Sequence, residues 1–154
     1  NGSFYYTAQG DTIRQFVTQD SYGVRLCQLM EIPILIVSTE DNPMVEQRME
    51  KLNIKHVKLG IRNKLKSIIR YCEQKEIKLS QVAYIGDDLW DLPILSRVGL
   101  AAAPKDALPY VKERVDFVSS LGGGKGVFRE VSDLILMSKG LLDPIVEQLY
   151  QKNT

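Results

Sequence analysis

The chain has 154 residues, 44% apolar and 25% charged, with a formal net charge of +1; it suits one soluble globular domain of ordinary size with its own core. The charge balance excludes the basic excess of a nucleic-acid binder and the acidic excess of a disordered tail. No apolar run approaches the ~20 residues of a membrane span and the N-terminus carries no basic-then-apolar signal pattern, so a cytoplasmic protein is expected.

In chain order, the segment 3–17 reads as a β-hairpin: Phe4-Tyr5-Tyr6, a turn over Thr7 to Asp11, then Thr12 to Val17. Val24, Cys27, Gln28 and Met30 suggest a first helix, broken before Pro33. Ile34-Leu35-Ile36-Val37 is an all-apolar strand, as expected of one buried on both faces. Pro43 opens a helix with Val45, Met49 and Leu52 on one side, and Ile54 to Leu59 forms a short strand. Lys64 starts a helix whose apolar side is Leu65, Ile68, Ile69 and Cys72. The remaining elements are a strand Val82–Ile85, a helix near Leu92–Val98, a strand Gly99–Ala103, a helix near Ala107–Arg114, a strand Val115–Val118 and a helix from Val127 to Met137. Strands alternating with single helices predict an α/β fold, a doubly wound parallel sheet with right-handed crossovers. The tail 141–154 fits an amphipathic helix that packs on its own domain or on a neighbour. Cys27 and Cys72 lie inside apolar helical patterns and read as small buried hydrophobes.

The chemistry concentrates where strand ends meet one sheet edge, the edge at which open α/β folds bind ligands. Tyr84-Ile85-Gly86-Asp87-Asp88-Leu89-Trp90-Asp91 puts three carboxylates within five positions after a buried strand. Adjacent ionised acids repel, and a divalent cation relieves them; hard oxygen donors favour Mg²⁺ over zinc. A solvated turn whose Asp91 caps the next helix accounts for the same residues. Ser38-Thr39-Glu40 follows a strand directly, either as a phosphate cradle at a helix N-terminus or as an ordinary helix cap. Lys64 opens a helix against the helix dipole, which suggests service to an anion, although a surface lysine is the plainer reading. Gly122-Gly123-Gly124-Lys125-Gly126 permits backbone shapes closed to other residues, but matches neither common phosphate-binding fingerprint.

Taken together, these segments resemble the haloacid-dehalogenase-type phosphatases. The resemblance is to the capless branch acting on 3-deoxy-octulosonate 8-phosphate and on nine-carbon sialic-acid-type 9-phosphates. It is carried by Phe16 and Asp20, Ser38, Gly60 with Lys64, Ala83 to Leu89 with Asp91, Arg97-Val98-Gly99, and Gly123 to Gly126 with Arg129-Glu130. It implies a Rossmann-like HAD-like sheet without a cap domain, a Mg²⁺ cofactor and a sugar-phosphate substrate of cell-surface sugar biosynthesis. It also implies a homotetramer in which the 3–17 hairpin joins subunits and active sites are shared. Asp87 would ligate the metal, with Asp88 and Asp91 behind it. Ser38 would hold a phosphate oxygen, and Lys64 would neutralise the phosphate. Thr39, Glu40, Arg48, Gly123, Gly124 and Arg129 would face substrate. Octulosonate phosphatases usually carry Thr-Gly-Arg at the second motif, so Glu40, with Arg48 and Lys51, leans toward the nine-carbon substrates.

One departure stands out. The family's Asp-x-Asp strand end, whose first Asp is the nucleophile, has no counterpart in the chain, which opens at Asn1-Gly2 like the last residues of that motif. The expectation is a single domain over 1–154 whose first catalytic strand lies upstream of residue 1. The alternative is a non-catalytic oligomerisation domain of the kind fused to CMP-N-acylneuraminate cytidylyltransferases.

Overall fold

The computed structural model describes residues 5–8 and 10–151. Its elements are β1 (Tyr5–Thr7), β2 (Gly10–Ile13), α1 (Thr18–Leu29), β3 (Leu35–Val37), α2 (Pro43–Lys51), β4 (His56–Lys58), α3 (Lys64–Gln74), β5 (Ala83–Ile85), α4 (Leu92–Leu95), β6 (Leu100–Ala103), α5 (Pro109–Lys112), β7 (Phe117–Val118), α6 (Val127–Ser138) and α7 (Leu142–Gln151). A single 3-10 turn, Leu89–Asp91, joins β5 to α4. The α/β alternation expected from the sequence is therefore present.

β1 and β2 pair antiparallel, with Thr7 opposite Gly10 and an irregularity between Tyr5 and Tyr6. The hairpin turn is tighter than the sequence suggested, and strand pairing stops at Ile13 rather than continuing to Val17. Phe4 lies outside the described residues. All other pairing is parallel: β3 with β4, and β5-β6-β7 in that order.

Side-chain alternation sorts the helices onto two faces, because successive strand residues point oppositely. On one face Leu35 and Val37 of β3 and Tyr84 of β5 pack against Ile68, Tyr71 and Cys72 of α3 and Ile94 of α4. There too Ala101 and Ala103 of β6 meet Leu95, Ala107 and Val111. On the other face Ile34 and Ile36 meet Val24 of α1, Met49 of α2 and Phe128 of α6. Ile85 and Ala102 meet Val127 and Val131 of α6. Helix α3 thus touches both parallel sheets. Yet among the described residues neither β3 nor β5 has a hydrogen-bonded strand on its second edge. That open edge explains why β3, expected to be buried on both faces, is only half-buried along its length.

The helices expected near 92–98 and 107–114 contract to one turn each, four residues apiece, as the chain bends into β6 and β7. The tail folds back on its own domain: Ile145 of α7 is buried against Leu26 of α1 and Leu136 of α6. Cys27 and Cys72 are buried and unpaired, and burial pushes the Cys27 thiol up to about 11, with Asp133 adding to the effect.

Candidate active site

Ser38 and Gly86 follow directly on β3 and β5, at the carboxyl ends of the two parallel sheets. The Ser38 N–H donates to the Lys58 carbonyl (2.9 Å), its carbonyl accepts from Ile61 N–H (2.8 Å), and its Oγ accepts from Glu40 N–H (3.1 Å). Gly60 N–H donates to the Glu40 carbonyl (3.2 Å). The loops after β3 and β4 are thereby laced together. Asn63 then caps α3 by accepting from Lys66 N–H (3.0 Å), which makes Lys64 the first residue of the helix.

Lys64 does not project into solvent. Its Nζ donates to Asp91 Oδ1 at 2.7 Å, and the Tyr84 hydroxyl donates to the same oxygen at 2.6 Å. Asp91 Oδ2 accepts the backbone N–H groups of Asp87 (3.1 Å) and Asp88 (3.2 Å). Asp91 is 2% exposed, so four donors on one carboxylate are what its burial requires. Burial alone would raise its pKa, but the hydrogen bonds from Lys64 and Tyr84 outweigh burial and hold it below the usual aspartate value. The carboxylate folds back over the Gly-Asp-Asp turn and makes no side-chain cap to α4. Gly86 permits this fold-back, since a Cβ there would lie 2.5 Å from Asp91 Cβ and 3.0 Å from the Tyr84 ring.

With Asp91 committed inward, Asp87 is left at the surface of a cleft of about 330 Å³, lined also by Asp20, Gly123, Gly124 and Phe128. Burial raises the pKa of Asp87, and the neighbouring charge of Asp91 raises it further. Asp88 serves the turn: its carboxylate accepts from Leu89 N–H at 2.6 Å. Across the cleft, Gly124 and Gly126 hold left-handed backbone (φ 67° and 105°), and Gly123 N–H donates to Asp106 Oδ1 at 2.7 Å. Helix α6 lacks a side-chain cap of its own. Asp20 of α1 serves it instead, accepting from Arg129 N–H at 3.2 Å.

The structure joins Lys64, Asp87, Asp88 and Asp91 in one hydrogen-bonded network, places Gly123 and Gly124 in the same cleft as Asp87, and sets Ser38 at the end of β3 in the other parallel sheet. Other expected substrate residues are engaged elsewhere. Thr39 is exposed, Glu40 is ion-paired with Arg14, and Arg48 donates to Ser21 Oγ (2.5 Å) over the Phe16 ring. The guanidinium found on Glu40 is that of Arg14, not that of Arg48. The Nε of Arg129 donates to both oxygens of Asp133 (2.8 and 2.7 Å), and Arg129 lines a separate cavity with Gln19 and Glu130. Tyr84 and Asp20 had no assigned role in the sequence reading. The signal for Tyr84 was a hydroxyl in an otherwise apolar strand, a group that needs a partner once buried.

A sequence profile of the haloacid dehalogenase-like hydrolases matches residues 34–130, from β3 through the start of α6. The chain belongs to this family. Among haloacid dehalogenase-like relatives, the 3-deoxy-D-manno-octulosonate 8-phosphate phosphatase KdsC of Escherichia coli is 37% identical over 143 residues, which is 93% of this chain and 76% of the relative. The crystal structure of the octulosonate phosphatase of Yersinia pestis superposes with a TM-score of 0.89 at 34% identity, covering 92% of this chain and 77% of that one. The Moraxella catarrhalis enzyme, crystallised with a magnesium ion, a phosphate ion and KDO, gives a TM-score of 0.91 at 28% identity, covering 96% and 85%. The fold is therefore that of this family, with no cap domain evident.

The donor set of this haloacid dehalogenase-like chain suits a hard cation. Asp87 offers an oxygen ligand whose pKa is raised by burial and then by Asp91, so a cation there relieves stored repulsion. Among the described residues no three His, Cys, Asp or Glu side chains gather to hold a metal alone. Mg²⁺ keeps several waters and takes one or two carboxylates plus phosphate oxygens, a role that Asp87 fits.

Proposed function

We infer that this chain forms the phosphoryl-transfer core of a Mg²⁺-dependent phosphatase for an acidic sugar phosphate, a 3-deoxy-octulosonate 8-phosphate or a nonulosonate 9-phosphate. The observation that carries the reading is the Lys64–Asp91–Tyr84 knot behind Asp87 at the sheet edge. A scaffold domain gains nothing from a lysine and three further donors arranged around a carboxylate beside an open cleft, and the KdsC relatives favour catalysis over the fused scaffold alternative.

Each residue has a role in that reading. Lys64, held on Asp91, sets a positive charge beside the phosphoryl group. Ser38 Oγ, fixed by Glu40 N–H, bonds a phosphate oxygen, and Asp87 holds the metal with Asp88 shaping the turn. Gly123 and Gly124 form the far wall, where backbone N–H groups can approach substrate. The metal, when bound, offsets charge on the transferring group. The family's covalent route needs an aspartate nucleophile on a strand of its own. Among the described residues β3 and β5 each keep one edge without a paired strand and both pack on α3, which leaves room for a strand bearing that aspartate. Its carboxylate would displace the sugar oxygen at phosphorus, and water would then release inorganic phosphate.

The hairpin completes the picture as an inter-subunit element, since Tyr5 and Ile13 are largely exposed. We propose a cytoplasmic setting, which the free thiols of Cys27 and Cys72 suit; among the described residues no helix is long and apolar enough to cross a membrane. The test is phosphate release by the natural protein from both sugar phosphates, with and without Mg²⁺. Mg²⁺-dependent turnover of either is expected, and the ratio assigns the substrate. A folded protein that releases phosphate from neither would sink the reading.

A further inference from the structure

Tyr84 is placed by its ring and read out by its hydroxyl. The ring packs into the clusters built on Ile68, Cys72 and Ile94 and on Leu95 and Ala101, which fixes the direction of the C–O bond. Its hydroxyl reaches Asp91 Oδ1 at 2.6 Å, the oxygen that Lys64 Nζ holds at 2.7 Å. Gly86 keeps the space between ring and carboxylate open, because a Cβ there would meet both Asp91 and Tyr84. Burial, followed by the charge of Asp91, pushes the tyrosine's pKa up, so the hydroxyl remains a donor under working conditions.

A carboxylate rotates readily about its terminal torsion, so its orientation is set by its partners. The backbone donors hold Oδ2, and the tyrosine fixes Oδ1 and takes part of its negative charge. Lys64 is then tethered at one point without being wholly neutralised, and the ammonium has three donors, of which this bond uses one. Without the hydroxyl, Oδ1 is left to Lys64 alone, and its undivided charge holds the ammonium more firmly and away from the anion.

We propose that Tyr84 is a positioning residue for phosphoryl transfer, acting through Asp91 to set the place and available charge of Lys64. This rests on the phosphatase reading of Lys64, and a mutant cycle keeps the two separable. Tyr84→Phe removes only the hydroxyl and leaves the ring in its packing. In the full natural protein with Mg²⁺ and its sugar phosphate, Tyr84→Phe is expected to lower kcat roughly tenfold, within what a displaced catalytic group costs, with KM changed less than about twofold. On a Lys64→Gln background the same substitution is expected to change kcat by less than about twofold, since groups acting through one another are not additive. If turnover of Lys64→Gln is too low to follow, the cycle is read on the affinity for inorganic phosphate by calorimetry. An unchanged kcat in a folded Tyr84→Phe protein overturns the proposal. So does an equal loss in both backgrounds, which is the signature of a merely structural role. Full turnover by Lys64→Gln itself removes the lysine's role and this proposal with it, a pattern distinct from the other two.

Discussion

Asp91 shows how one buried side chain can carry both stability and chemistry. It pairs with a lysine placed against its helix dipole, and it satisfies two backbone N–H groups that a Gly-Asp-Asp turn would otherwise leave open. Asp91→Ala strands a mostly buried ammonium and should cost about 3–5 kcal/mol, the usual penalty for breaking a buried pair; a urea titration shifted by less than about 1 kcal/mol would contradict the knot. The pH dependence has a definite sign. The folded pKa of Asp91 lies below its ordinary value of 3.8, so its contribution is complete above that value and lost as pH falls through the lower, folded one. Melting temperatures taken below about pH 4 should therefore fall less steeply in Asp91→Asn than in the parent. Gly86→Ala forces a Cβ to within 2.5 Å of Asp91 Cβ. Overpacking of that kind costs about 1–3 kcal/mol, and Lys64 should be displaced with it, so chemical denaturation and turnover should both register the change.

At the scale of elements, short strands are held by what packs across them. Helix α7 docks through Ile145, 3% exposed, onto Leu26 and Leu136, and Ile145→Ala should cost about 2–4 kcal/mol. Hydrogen exchange should then quicken in α7 first; uniform loss of protection would mean that the tail belongs to the same cooperative unit as the sheet. The hairpin base and the loop after β3 are joined by the Arg14–Glu40 pair, and α2 is joined to the segment before α1 by Arg48 over Phe16. Glu40→Arg sets two guanidinium groups against each other and frees the loop that follows Ser38. We expect preference to move toward the eight-carbon phosphate. An unchanged ratio of kcat/KM for the two sugars would remove Glu40 from substrate choice.

At the scale of the whole molecule, the hairpin leaves apolar side chains exposed on a single folded chain. The exposed Tyr5 and Ile13, with Tyr22 and Phe16 also solvent-facing, form apolar surface that an assembly would cover. If the proposed assembly uses this face, Tyr5→Ser with Ile13→Ser should reduce the native mass toward that of a monomer in light scattering. An assembly of undiminished stability would place the interface elsewhere.

Local physics made much of this protein legible in its sequence. Period-3.6 patterning and a proline set α2, the same patterning set the start of α3 at Lys64, and apolar runs between turn residues set the parallel strands. The Gly86-Asp87-Asp88 turn at a strand end marked the site for the same reason. Partnership over distance was not legible. Lys64 and Asp91 are 27 residues apart, Arg14 and Glu40 are 26 apart, and Asp20 and Arg129 are 109 apart. Which acid turned inward to hold the lysine and which stayed at the cleft, or that Arg129 would pair with Asp133, depended on how β5, α3 and α6 pack. A carboxylate's role is set by the donors and charges brought within about 3 Å of it, and only the assembled fold supplies those.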